Sequence, residues 1–300
     1  MWPALSLRML GLRFDAHVAI ELAARFRFQG VELLIRDLVE QNKDVAVLAS
    51  MMDDLGLRGG SWPLPVDWKG ESDLFRRDLS LLPSFARIAA QLGLNRTGTW
   101  VLPEILDPGL LEQEQPREAA VAWHLERLVP IATILSDHGH RFGLEAIGVS
   151  SFQTGRGLRF IDRLEALRPL LRMLRDRGCD VGVTVDSFHL YAAMESPEIV
   201  RQFDPEEIVS VHVSDVLDKT SHDLTMLQDN QRSLPSTAGP VPNRSLLQSL
   251  AERGYSGPVF PEPVVEGGVS EMMLGPLADQ EAVVRLAAEA LQSIWPRDSS

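Results

Sequence analysis

Apolar residues recur every three or four positions over long stretches of the chain, and short continuous apolar runs separate those stretches. The first helical pattern is FDAHVAIELAARFRFQG (14–30), stopped by Gly30, and VELLI (31–35) follows it as a strand. A second helix over 44–56 leads into LRGGSWPLPVDW (57–68), a short strand whose loop carries Trp62 and Trp68. The pattern at 72–93 opens on an N-cap serine with an aspartate in its first turn, and TGTWVLP (97–103) is the strand after it. Pro116 suits the N-terminal turn of the next helix, 116–139.

The second half keeps the same order. Strand RFGLEAIG (141–148) precedes a helix predicted over 159–178, and VGVTVDSFHLY (181–191) begins as a β-branched strand. A short helix (196–204) leads to strand IVSVHVSD (208–215). A long polar loop near 217–243 follows, then helix 244–254, strand GPVFPEP (257–263), helix 278–294 and a frayed tail at 295–300. With a first strand placed near LRMLGL (7–12), the chain holds about eight strand–helix units. Strict alternation calls for a parallel sheet, and this number of units calls for one (β/α)8 TIM barrel spanning residues 1–300. No Gly-rich fingerprint follows any strand, which argues against a dinucleotide-binding open sheet. No linker divides the chain, so the long polar loop reads as an active-site loop.

Composition removes several function classes. The net charge is -13 and the pI about 5.0, and no cluster of Lys and Arg with interleaved aromatics appears, so nucleic acid is not an expected partner. No apolar run is long enough to cross a bilayer, and the arginine-bearing N-terminus is not a convincing signal peptide. The expectation is a cytoplasmic protein. A single cysteine, Cys179, excludes an intrachain disulfide. None of the three lysines, Lys43, Lys69 and Lys219, ends a clear apolar strand, which demotes Schiff-base chemistry.

In a barrel of this kind chemistry sits at the C-terminal ends of the strands. There the predicted fifth strand carries Glu145, the sixth Asp186, the seventh His212 and the eighth Glu262. Each has an ordinary alternative: an ion-pair partner, a turn cap, a core histidine or a solvated loop residue. Together they would bring three carboxylates and one imidazole to one point, where the carboxylates repel one another unless a cation joins them. Mixed oxygen and nitrogen donors without thiolates suit one divalent metal ion, Mn, Mg, Co or Zn, in a catalytic site. Trp62 and Trp100, near the ends of the third and fourth strands, could form an apolar wall for a sugar ring or pack in the core. Glu32 and the remaining histidines read as surface or structural residues.

LEAIG, VDSFHLY, VHVSD, NQRSLP and GYSGPVFPEP occur in that order, and with them the chain resembles the sugar phosphate isomerase/epimerase family of xylose-isomerase-like TIM barrels. That family includes ketose 3-epimerases, inosose dehydratases and hydroxypyruvate isomerases. The resemblance implies metal ligands at Glu145, Asp186, His212 and Glu262, with Glu145 and Glu262 as the catalytic acid and base. It also implies substrate contacts at His189 and Arg232. The chain departs from the family at Ser214, where a lysine is frequent, at LPSTAG (234–239) in place of LPGEG, and at Gly148 in place of asparagine. Those departures touch the sugar end of the site and leave the four ligand positions filled.

The expected function is a metal-dependent isomerase or epimerase of a keto-sugar or polyol, working by proton abstraction through an enediolate. A dehydratase or lyase would share that intermediate, and a non-catalytic sugar-binding barrel is the remaining class. An abasic-site endonuclease would need more histidine ligands and a basic groove. The expected partner is a small sugar or polyol, with no nucleic acid and no membrane; a homodimer is an open assembly.

Overall fold

A computed structural model describes residues 1–12, 15–217, 223–263 and 280–296. Its parallel strands are β1 (Trp2–Leu5), β2 (Gly30–Val31), β3 in two pieces (Arg58–Gly59 and Trp62–Pro63), β4 (Arg96–Trp100), β5 (Arg141–Glu145), β6 (Val181–Asp186), β7 (Ile208–Val213) and β8 (Pro258–Pro261). The strands run in the order β3-β2-β1-β8-β7-β6-β5-β4-β3. The two pieces of β3 lie at opposite ends of that series and only Gly60 and Ser61 separate them, so the sheet closes on itself. The expected (β/α)8 barrel is the architecture found.

The elements form for local reasons. Asp15 caps helix Ala16–Arg25 by accepting from His17 N, and Asp44 caps helix Val45–Asp54 through Ala46 N and Val47 N. β6 and β7 are buried at every residue, as strands covered on both faces require. Outside the barrel wall, Leu82, Phe85 and Ala89 of helix Ser72–Gln91 and Leu128, Ile131 and Leu135 of helix Pro116–Asp137 belong to one continuous core. Each large apolar side chain buried there contributes about 1.5–3 kcal/mol.

Inside the barrel, below the mouth, the wall residues are small. Thr184 Oγ1 lies 3.2 Å from Ser210 Oγ, and a Cβ at Gly143 would stand 2.5 Å from Thr184 Oγ1. Thr184 and Ser210 themselves border a cavity inside the barrel.

Several boundaries differ from the sequence reading. β1 occupies Trp2–Leu5, where Trp2 and Pro3 pair with Pro258 and Val259, and residues 7–11 form turns. β2 is only two residues long, and VELLI ends in a helix, Ile35–Glu40. In the helix predicted over 159–178, Leu158–Arg159 pairs antiparallel with Glu104–Ile105, and regular α-helix begins only at Arg168, with Pro169 in its first turn. The helix at 196–204 is a 3-10 helix, Pro197–Gln202. The start predicted at 278 for the last helix lies outside the described residues; the helix is seen over Gln280–Ile294.

Candidate active site

Glu145 is the last residue of β5 and Asp186 the last of β6, His212 is the penultimate residue of β7, and Glu262 directly follows β8. Strand register brings them level. His212 pairs with Asp186 and Phe260, and Glu262 N donates to Val213 O at 2.9 Å. One ligand-type atom from each of the four lies within 4.8 Å of the others. His212 Nδ1 is 2.7 Å from Glu262 Oε2 and 4.0 Å from Glu145 Oε1. The four predicted ligands therefore meet.

Asp186 is held from two sides. Its Oδ1 accepts from Phe188 N at 2.7 Å and His189 N at 3.2 Å, capping the short helix Ser187–Ala192, while Oδ2 accepts from Arg232 Nη1 at 2.6 Å. The turn-cap alternative and the candidate ligand are thus one carboxylate using different oxygens. Arg232 reaches the cluster because Asp215–Val216 and Arg232–Ser233 form a small antiparallel ribbon within the loop predicted to border the site. Its guanidinium also donates to Asp229 Oδ1 and, at 2.9 Å, to His189 Nε2, and it stacks over Phe188.

Electrostatics follow from this crowding. Burial pushes Glu145 well above the usual carboxylate range, and Asp186 and Glu262 add to the shift against His212 and Arg232. Burial works against the charge of Asp186, yet Arg232 and His212 hold it far below that range. Burial alone would lower His212, but Glu262, Glu145 and Asp186 reverse the effect and take it up to about 9. His189 is lowered, first by burial, so it is neutral and accepts from Arg232 through Nε2. Three carboxylates and one imidazole with convergent donor atoms, one carboxyl resisting ionisation, fit a divalent cation.

Beside the cluster a cavity of about 260 Å³ reaches into the barrel, bordered by Arg8, Glu32, Trp100, Glu145, His212 and Glu262. Trp100 borders the cavity and is partly exposed, and Lys69 Nζ stands 3.9 Å from its ring centre. Trp62 takes the core alternative. Its residue borders the cavity, but the indole is 1% exposed, packs in the main core and donates to His140 Nδ1 at 3.4 Å.

The sequence reading passed over three residues. Glu32 is buried beside the cavity, although it obeys the strand-end rule for β2. Arg8, just past β1, pairs with it. Lys69 donates to Thr99 Oγ1 at 3.3 Å and Trp100 O at 3.2 Å, and burial brings it down to about 8. Arg8 and Lys69 sit in loops, where no periodicity marks them.

The sequence matches the xylose isomerase-like TIM barrel family over residues 20–294. The chain belongs to that family. Among solved structures, a xylose isomerase domain protein from Alicyclobacillus acidocaldarius is 26% identical, with a TM-score of 0.80 and 98% of each chain covered. The IolI protein, solved with a bound zinc atom, is 18% identical with a TM-score of 0.75, again over 98% of each chain. D-Psicose 3-epimerase from Clostridium cellulolyticum, solved with D-tagatose, is 16% identical with a TM-score of 0.70 over 97% of each chain. No curated protein matches. In this xylose isomerase-like barrel Gly148 has its own local reason. A Cβ there would stand 2.1 Å from His189 O, so the chain after β5 passes too close to helix Ser187–Ala192 for a side chain.

Proposed function

We propose that this protein is a divalent-metal-dependent isomerase or epimerase of an uncharged keto-sugar or polyol. The observation that carries the reading is the pair Glu145 and Glu262, both within 4.0 Å of His212 Nδ1, in a cluster of four ligand-type groups beside a cavity of about 260 Å³. Glu145, Asp186, His212 and Glu262 would hold the ion. When bound, it supplies a Lewis acid for a carbonyl and an adjacent hydroxyl oxygen.

The remaining chemistry belongs to the side chains. One of Glu145 and Glu262 removes the proton from the hydroxyl-bearing carbon beside the carbonyl, and the other returns a proton to the opposite face, which inverts that carbon. Burial raises the basicity of Glu145, which suits it to take a carbon-bound proton. Asp186 stays ionised through Arg232 and the helix N–H groups, so its charge is available throughout. His189, fixed by Arg232, and Trp100, braced by Lys69, are the proposed substrate-facing groups, with Arg232 behind them. The IolI zinc and the epimerase among the neighbouring structures support the same reading.

The test is a panel of ketoses and inososes with metal-loaded and metal-stripped protein, followed by NMR in deuterated water. Metal-dependent interconversion with deuterium entering one carbon is the expected result. Release of an unsaturated product with loss of water would replace epimerisation by dehydration.

A further inference from the structure

On the side of the barrel away from the β5–β7 ligands, three side chains converge on Glu32. Ser6 Oγ donates to Glu32 Oε1 at 2.6 Å, and Ser61 Oγ, from the break in β3, donates to Oε2 at 3.0 Å. Arg8 completes the set, with Nε 3.1 Å from Oε1 and Nη2 3.4 Å from Oε2. The Glu32 side chain is 3% exposed and that of Arg8 is 44% exposed, and both border the cavity that Glu145, His212 and Glu262 share. A carboxylate withdrawn from water is strongly unfavourable unless it is fully bonded. Here it is bonded, and the consequence is an arginine held in one orientation.

That orientation leaves donors free. Arg8 spends Nε and one Nη2 hydrogen on Glu32, and its other Nη2 hydrogen and both Nη1 hydrogens have no partner among the described residues. The free Nη2 hydrogen and one Nη1 hydrogen make up the second fork of the guanidinium, whose spacing matches two adjacent oxygen atoms. The charge of Arg8 is already matched by Glu32, and Glu145 and Glu262 face the same space. A carboxylate or phosphate therefore finds no unmatched positive charge at Arg8, whereas two neighbouring hydroxyls need none.

We propose that Arg8 is a specificity residue whose outer fork binds a vicinal pair of hydroxyls at the end of the substrate remote from the reacting carbon, with Glu32 as its positioning residue. This rests on the reading of the cavity as a keto-sugar or polyol site.

The experiment measures binding of sorbitol, glycerol and gluconate to the metal-loaded protein by ligand-observed NMR, for wild type, Arg8→Lys, Arg8→Met and Glu32→Gln. Arg8→Lys keeps the charge and loses the fork. Wild type is expected to bind sorbitol about tenfold or more tightly than glycerol, with gluconate no better than sorbitol. Both Arg8 variants should bring the sorbitol preference within about twofold, and Glu32→Gln should fall between. For any ketose the enzyme turns over, Arg8→Lys should raise KM about tenfold with kcat little changed. If Arg8→Met fails to fold because Glu32 is left stranded, the double variant Arg8→Met/Glu32→Gln is measured in its place. A sorbitol preference kept by Arg8→Lys, a wild type without preference, or gluconate bound tenfold better than sorbitol would each overturn the proposal. Binding is read without turnover, so an absence of any ketose reaction would remove the proposed activity and leave this test standing.

Discussion

Arg232 places Nη1 2.6 Å from Asp186 Oδ2, so a fixed cation already rests against the most buried carboxylate of the four-residue cluster. The two side chains are 3% and 1% exposed. Such a pair is weak evidence for stability as a whole, but breaking it from one side strands a buried charge. In the metal-free protein, Arg232→Met should therefore lose about 3–5 kcal/mol of unfolding free energy. A divalent ion in the cluster would supply a substitute positive charge, so saturating Mn²⁺ should restore a good part of that loss. Urea denaturation with chelator and with Mn²⁺ compares the two; equal losses in both would mean that the ion does not neighbour Asp186.

Metal binding should release protons. His212, at about 9 in the metal-free chain, carries a proton at neutral pH, and a metal-bound imidazole cannot keep it there. Affinity should thus rise with pH up to about 9. Calorimetry at pH 7 in buffers of different ionisation heat should find about one proton released per ion, or more as Glu145 contributes. Heats independent of buffer would refute the assignment. The same shift has a stability sign. Because the folded value lies above the unfolded one of 6.5, the contribution is fully present below pH 6.5 in the metal-free chain and is lost as pH rises through about 9.

Glu145→Gln and Glu262→Gln should each lower turnover by about 10²–10⁴-fold, with disturbed metal ligation adding to the loss. Glu145→Gln has a second signature. Glu145 is held well above its ordinary range by burial, so its charge weakens the metal-free fold at neutral pH. The amide should be more stable than wild type at pH 7 and without advantage below pH 4. Either variant retaining a near-normal rate would take that glutamate out of acid–base chemistry.

The strand-end ligands were legible because Glu145, Asp186 and His212 interrupt largely apolar strands at the edge where chemistry sits in a parallel barrel. Glu32 obeys the same rule and escaped it, since β2 is two residues long and VELLI made the glutamate look like a strand interior. Trp62 stayed open between wall and core: a tryptophan before Pro63 marks the strand end, but the sequence does not say which face its ring takes. β1 was misplaced because Pro3 weakens WPAL as a strand, although parallel pairing with β8 accommodates it. Arg232 came from the resemblance alone; its place beside Asp186 depends on a ribbon of two residues per strand.

Phosphorylated sugars should be poorer substrates than their parent sugars. Glu32, Glu145 and Glu262 border the cavity, and its nearest exposed cation, Arg8, is already paired. The loop after β8, whose glycines could offer N–H groups to a phosphate, lies outside the described residues. Paired assays of a sugar and its phosphate ester decide the point. A preference for the ester of tenfold or more, about 1.4 kcal/mol of transition-state binding, would contradict the charge reading.

The most direct test of the metal centre is elemental analysis of protein purified without chelator, run beside His212→Ala. About one divalent metal ion per chain is expected in wild type and none in His212→Ala, with both proteins retaining the helical circular dichroism of the barrel. Activity should disappear with the ion and return on adding it back. Metal-stripped wild-type protein with full activity would contradict a catalytic ion held by Glu145, Asp186, His212 and Glu262.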